Sequence, residues 1–368
     1  MPALINPSRP CAVPADARAL LQRFGLTTST LLTSDRQSPK LSKGQAEARA
    51  VILHHLPARS LAAAITPATD GVTPARSFIP GLLELAERER LTAAARRHDG
   101  CPFSTGGCAM GCLNWSGHGG LNVSVAAARG RRTLALLADP TAYGRAVWWS
   151  VLRHLLRARR ESLPLAVRLR GTDDHPWHRH DVPISEAEAE AIAARYGVDV
   201  ASGVETMAAR LAALPELRPY EYSKAPVSGA LGLISQREAG VDVTASFAAD
   251  RATAVADAIT AIHAGFRLAV PVALRKGDPV PVALTLRAVM PSAFSRRGRS
   301  VATVTLPTVD GDRSDHRWQD PQGAEPVAVI LRTKRSRGAG PEADAFSLAA
   351  HGMPQHLADG SALLTWPD

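Results

Sequence analysis

The sequence predicts an α/β protein: a partial or complete β/α (TIM-like) barrel with an N-terminal extension and a cysteine-rich loop. Three observations lead there. Short, nearly continuous apolar runs alternate with helical patterns of ten or more residues, as in a parallel sheet covered on both faces. About five or six such strand-plus-helix units can be counted. Polar residues bunch directly after the apolar runs, at Gly171–Asp174, Ser223-Lys224, Arg275-Lys276 and Thr333-Lys334. In barrels and open α/β sheets that is where ligands sit.

Taken in order, the first forty residues are rich in Pro, Ser and Thr and read as a loosely ordered lead-in. Leu41–Leu56 predicts a short helix plus a strand, and Pro67–Pro80 a loop. Leu82, Leu83, Leu85, Ala86 and Leu91 then recur at helical spacing, up to a stop signal at His98-Asp99-Gly100. Asp139-Pro140 opens a helix with Tyr143, Val147, Trp148, Val151, Leu152, Leu155 and Leu156 on one broad face and a basic tail, Arg157–Arg160. Strands are expected at Leu165–Leu169, Pro219–Ser223, Val241–Phe247, Arg267–Leu274 and Val327–Leu331. Helices are expected at Ser185–Tyr196, where Ser185 and Glu188 make a capping box, and at Ala252–Ala264, closed by Gly265. Val280–Thr308 reads as an inserted hairpin or lid. The expected organisation is an extension and helix over 1–95, a core over 96–335 with the cysteine-rich loop at 101–112, and a tail over 336–368.

Composition limits the function classes. With 368 residues, 45% hydrophobic and 21% charged, the chain is long enough for a large core and too apolar to be largely disordered. No apolar run approaches the roughly 18 residues of a membrane span, so no membrane partner and a cytoplasmic location are expected. Four cysteines exclude a disulfide-stapled scaffold. The net charge of +9 permits a polyanionic partner, DNA, RNA or a nucleotide, without requiring one.

The most informative segment is Cys101-Pro-Phe-Ser-Thr-Gly-Gly-Cys108-Ala-Met-Gly-Cys112. Three cysteines in one glycine-rich loop suit zinc or an iron–sulfur cluster, because thiolates are soft ligands and close spacing lets a loop wrap the metal. His118, His98 or Cys11 is a candidate fourth ligand; buried, unligated thiols are the plainer alternative. The glycines around His118 also offer backbone N–H groups to an anion. The second constellation is Arg168-Leu-Arg170-Gly171-Thr172-Asp173-Asp174-His175-Pro-Trp177-His178-Arg179-His180, at a strand end. Asp173 and Asp174 are candidates to bind an amine, ribose hydroxyls or a metal, Asp173 being the catalytic one, and Arg170 to hold a phosphate or carboxylate. The His178/His180 pair is a weak echo of rolling-circle replication proteins. The third is Tyr220-Glu-Tyr222-Ser223-Lys224, with Tyr222 a substrate contact and Lys224 a catalytic or anion-pairing group. The acidic loop Asp310-Gly311-Asp312 lacks the glutamate a calcium loop needs, and reads equally well as a turn.

The blocks CPFSTGGCAMGCLNWSGHGG (101–120), VRLRGTDDHPW (167–177), YEYSKAP (220–226) and VDGDRSDHRWQDP (309–321) occur in the order seen in a group of phage and mobile-element proteins. The sequence resembles that group, which includes the family named after phage gene product 88, over roughly residues 100–335. The resemblance brings no settled activity. By looser analogy, three cysteines ahead of a half-barrel are similar to radical S-adenosylmethionine enzymes, although their spacing is C-x3-C-x2-C and here it is C-x6-C-x3-C. The analogy implies S-adenosylmethionine as cofactor, with the Gly171–Asp173 loop at its amine. A second analogy is to the transglycosylases that exchange guanine for a deazaguanine, barrels with aspartate catalysts and a zinc site, whose cysteine spacing also differs. Two functions are therefore expected as rivals. One is a metal-dependent enzyme acting on a nucleobase, nucleotide or nucleic acid, with Cys101, Cys108, Cys112 and His118 at the metal. The other is a non-enzymatic DNA-binding or replication-associated protein with a structural zinc.

Overall fold

A strand buried on both faces has few polar residues to spend, and Ala50-Val51-Ile52-Leu53 has none; in the computed structural model this run forms β2 (Arg49–Leu53). The structure describes residues 13–38, 41–44, 46–57, 60–67, 78–106, 108, 122–274, 277–291, 299–314, 316–320, 326–333, 348 and 362–365. They fall into two compact units that do not follow chain order. The first takes its described residues from Met1–Pro102, Asn122–Pro219 and Glu238–Val241, the second from Phe103–Leu121, Tyr220–Arg237 and Asp242–Asp368.

In the first unit β1 (Leu32–Ser34) lies antiparallel to β2, and β3 (Leu165–Arg168) parallel to it, with Val51 opposite Val167. The first residues of β6 (Leu217–Ser223) continue the sheet in parallel, Leu165 facing Leu217. A separate antiparallel ribbon joins β4 (Asp181–Ile184) and β5 (Gly203–Thr206). The helices are α1 (Ala15–Arg23), α2 (Thr28–Leu31), α3 (Ser60–Ile65), α4 (Pro80–Arg88), α5 (Thr92–Arg97), α6 (Val123–Ala138), α7 (Pro140–Arg160), α8 (Glu186–Tyr196) and α9 (Met207–Ala212).

The organiser is α7. Asp139 caps it by accepting the Ala142 N–H at 2.9 Å, Pro140 occupies its first turn, and Arg157, Arg159 and Arg160 close its last. Of the predicted face, Tyr143, Val147, Trp148, Val151, Leu152 and Leu155 are buried and Leu156 is half-buried. The capping box of Ser185 with Glu188 and the left-handed Gly197 bound α8. The expected single helix after Leu82 is two, because Arg90 adopts a left-handed backbone (φ 57°) that ends α4. The expected lead-in contains α1, whose Ala17, Leu20 and Leu21 are buried, and α1 packs on α7. The helix α6 was not expected from the sequence.

In the second unit the remaining residues of β6 pair in parallel with β7 (Asp242–Ser246), followed in order by β8 (Arg267–Val272), β11 (Ala328–Arg332) and β10 (Arg299–Asp310), all parallel. Then β9 (Ala283–Pro291) and β12 (Ala362–Thr365) add antiparallel strands. Between strands run α10 (Leu233–Glu238) and α11 (Ala254–His263), the latter ended by Gly265 at φ 79°. The expected insertion over 280–308 is the β9–β10 hairpin.

The fold is thus mixed α/β with a mostly parallel sheet; of the expected partial or complete barrel, no closed barrel is formed among the described residues. β1 pairs only with β2 and β12 only with β9. The run of parallel strands stops where β9 and β12 add antiparallel ones.

Asp139→Ala removes the cap of α7 and leaves the fold intact. It is expected to lower stability by about 1 kcal/mol, read as a shift in the urea unfolding midpoint.

Candidate functional site

Because β2 and β3 are parallel neighbours, the residues that follow them emerge at the same carboxyl edge. After β2 come His54 and His55; after β3 come Leu169 through Asp174. Gly171 is where the two segments meet. Its N–H donates to Leu53 O at 2.9 Å, and a Cβ there would lie 2.4 Å from that oxygen and 2.5 Å from His54 Nδ1. The Thr172 hydroxyl donates to His55 O at 2.6 Å. The next residue, Asp173, places its Oδ2 2.9 Å from His55 Nδ1, and the two side chains are only 2% and 1% exposed.

The protonation of Asp173 follows from its surroundings. Burial pushes the Asp173 carboxyl up, but His55 beside it, with His175 and Arg170 nearby, holds it below its ordinary value. An ionised Asp173 only accepts, so His55 Nδ1 donates to it. The other ring nitrogen, Nε2, lies 3.0 Å from the Tyr143 hydroxyl. Burial raises the Tyr143 pKa, which keeps it a phenol and a donor. Trp177 stacks on the imidazole, centroids 6.2 Å apart and planes 18° from parallel. The hydrogen bonds thus link Tyr143, His55 and Asp173 in one chain. At its end Asp173 Oδ1 is buried and has no hydrogen-bond partner among the described residues.

The predicted loop residues brace this centre. Arg170, 3% exposed, donates from Nε to His175 O at 2.9 Å and from Nη2 to Asp174 O at 3.1 Å. Asp174 donates its N–H to Gly100 O at 2.6 Å, and the Cys101 thiol donates to Thr172 O at 3.6 Å. The start of the cysteine segment is thereby tied to the residue before Asp173. Burial lowers the His98 pKa, with His55 adding to the effect and Asp173 opposing it.

His180 donates from Nε2 to Pro140 O at 2.9 Å, which leaves Nδ1 to accept from His175 Nε2 at 2.9 Å. Both ring nitrogens are spent, so the His178/His180 pair is not presented as a metal clamp. Gly144 makes room for that ring: a Cβ there would lie 2.4 Å from His180 Nε2. Burial drives the His175 pKa down to about 3.

The structure thus gathers Arg170, Asp173, Asp174 and Cys101 in the first unit. Tyr222, in β6, and Lys224, just after it, belong to the second unit, as does Cys108, whose N–H is held by Thr105 Oγ1 at 3.2 Å. Cys112 and His118 lie outside the described residues, as does Cys11. Among the described residues no group of three or more His, Cys, Asp or Glu is arranged to hold a metal. In the acidic loop Arg332 takes both carboxylates, at 2.8 Å from Asp310 and 3.5 Å from Asp312. The basic runs are partly internal too. Arg157 pairs with Asp35 at 3.2 Å, Arg159 with Glu216 at 2.5 Å, and Arg132, 9% exposed, donates to His54 O at 3.4 Å. Among the described residues no helix is long and apolar enough to cross a membrane.

Sequence reasoning named Asp173 but missed His55, and did not connect Tyr143, read as a helix-face residue, to it. The signal for His55 was present: His54-His55 directly follows an apolar strand, the same polar-after-strand pattern that singled out Gly171–Asp174.

Fold and site together define an α/β protein with a buried carboxylate–imidazole pair at the carboxyl edge of parallel strands. The chain belongs to the Gene product 88 family, a phage-type family whose model matches residues 60–346. No curated protein and no solved structure matches it, and the analogy to radical S-adenosylmethionine enzymes draws no support from these comparisons.

Two outcomes are expected. Gly171→Ala forces β2 and the loop after β3 apart and costs on the order of 1–3 kcal/mol, with loss of whatever binding depends on Asp173. A histidine neutral in the fold but free to protonate when unfolded loses stability as pH falls below its unfolded value. His175, held at about 3, and His154, lowered by burial to about 4, make stability decline from about pH 6.5 toward those values. In His175→Gln the decline is shallower, as urea midpoints across that window will show.

Proposed function

We propose that the chain is an enzyme of its phage-type family in which Asp173 is the reacting carboxylate, and that its substrate is a nucleobase, a nucleotide or a nucleic acid. The observation that carries this reading is Asp173 Oδ1, a buried oxygen of an ionised carboxylate with no partner among the described residues. Such an atom costs stability unless something binds it. A substrate N–H or O–H, or an amine, supplies the missing donor, and Asp173 then acts as base or anchor. His55, with Tyr143 behind it, is a positioning residue that keeps the carboxylate ionised and aimed. The basic composition and the phage-type family favour a nucleobase-bearing substrate.

The metal reading belongs to the same proposal. Cys101, Cys108, Cys112 and His118 are the donors for zinc or an iron–sulfur cluster, a set whose thiols suit soft metals. Cys101, tied to Thr172, is the member that stands beside Asp173. Such a centre would supply Lewis-acid or electron-transfer chemistry, and in the radical version S-adenosylmethionine would be the co-substrate.

Anaerobic purification with measurement of zinc, iron, sulfide and visible absorption tests the metal part. Metal that is lost in Cys101→Ala is the expected result, and a colourless, zinc-free protein whose fold survives Cys108→Ala overturns it. The carboxylate part is tested with Asp173→Asn against a panel of nucleobases, nucleosides and short single-stranded DNA. Binding is expected to weaken by at least about ten-fold while the unfolding midpoint stays measurable. Unchanged binding removes Asp173 from the reaction.

A further inference from the structure

The second unit has a cavity of its own, ≈ 240 Å³ in volume, between the carboxyl ends of β6 and β7 and the side of α11. Ala254, Ala258 and Ala261 recur along that side at helical spacing, so one face of α11 lines it. Ala245 and Ser246 line it from the end of β7, and Leu233 and Phe247 add apolar wall. These apolar residues are all buried, whereas Pro226 and Ser228, in the segment after β6, are exposed and mark its mouth. Alanines keep open a space that larger side chains would fill, and apolar cavities of this kind take compact guests.

Two features of the wall limit what fits. Its charged groups are already engaged. Arg251 donates from Nη2 to Phe103 O at 2.6 Å and from Nη1 to Lys224 O at 3.4 Å, and it pairs with Asp257 at 3.7 Å. Lys224 has a partner as well. A charged ligand would have to displace one of these contacts or lie unpaired against apolar wall, and either is costly. The hydroxyls differ: those of Ser228 and Ser246 make no hydrogen bond among the described residues. A hydroxyl both donates and accepts, so it suits the edge of a neutral polar molecule.

From this we infer that the cavity binds a small neutral ring with a hydrogen-bonding edge, a single-ring nucleobase. The alanine-rich wall takes the apolar body of the ring, and Ser228 and Ser246 meet the donors and acceptors of its edge. The volume lies below the usual range for drug-sized ligands of about 300–1,000 Å³, so the ligand is compact. Its size and neutrality follow from the cavity alone. The choice of a nucleobase among neutral rings rests on the substrate class proposed above, but the site does not involve Asp173.

Isothermal titration of the full chain with uracil, 6-methyluracil, orotate and phenol tests it. Uracil is expected to bind and phenol, which lacks the amide edge, to bind more weakly. Orotate and 6-methyluracil carry a carboxylate and a methyl at the same ring position, so weaker binding of orotate than of 6-methyluracil reads out neutrality. Ala258→Leu fills the cavity and is expected to weaken uracil binding by at least about ten-fold, while the urea unfolding midpoint holds or rises. Ser246→Ala, which leaves the wall in place, is expected to weaken it by about three- to ten-fold. Uracil binding that persists in Asp173→Asn and is lost in Ala258→Leu separates this site from the proposed reaction centre. No uracil binding at millimolar concentration, orotate or phenol binding as tightly as their counterparts, an affinity that ignores Ser246→Ala, or uracil binding lost in Asp173→Asn overturns the inference.

Discussion

A carboxylate removed from water must be compensated where it stands, and much of the first unit near the strand ends is arranged around that requirement at Asp173. His55 supplies the compensating donor, and it is in reach only because Gly171 lets the chain after β3 press against the end of β2. The imidazole in turn needs a partner for its second nitrogen. Tyr143, one turn into α7, provides it, so the longest helix of the unit is keyed to the same interaction. Removing one partner of such a pair is costly because it strands the other. The geometry is therefore held from three directions: two strand ends and one helix.

The charge of the chain looks different once its arginines are placed. An excess of nine positive charges invites a polyanion, yet several arginines work inside the molecule. Arg132, Arg157, Arg159 and Arg170 brace carbonyls and carboxylates of their own unit. Arg210, 1% exposed, binds the carbonyls of Val182, Ala201 and Gly203 and so fixes the β4–β5 ribbon to α9. Arginine suits this work because its planar fork makes several bonds from one charge.

Periodicity made the parallel strands legible, and capping chemistry made α7, α8 and α11 legible, since both signals are local. The short β1, the β4–β5 ribbon and α6 were not, because a three- or four-residue strand carries too little pattern. The run Val123–Ala138 mixes Arg and Gly into its apolar face, where Gly130 leaves room for Leu82. Closure of a barrel is a property of the last strand against the first, and no local pattern encodes it. At the site, Asp173 stood out because polar residues follow an apolar strand there. Its pairing with a histidine 118 positions earlier is tertiary, and single-sequence reading has no access to it.

The division of the chain also bears on how the protein is made. The first unit draws its last residues, Glu238–Val241, from beyond a segment assigned to the second, and the described part of the cysteine segment after Pro102 belongs to the second as well. A chain emerging from the ribosome cannot finish its first compact body until Val241 has been synthesised. Such interleaving rewards long-range closure over local order and slows folding. Truncation before Glu238 thus removes residues that belong to the first unit.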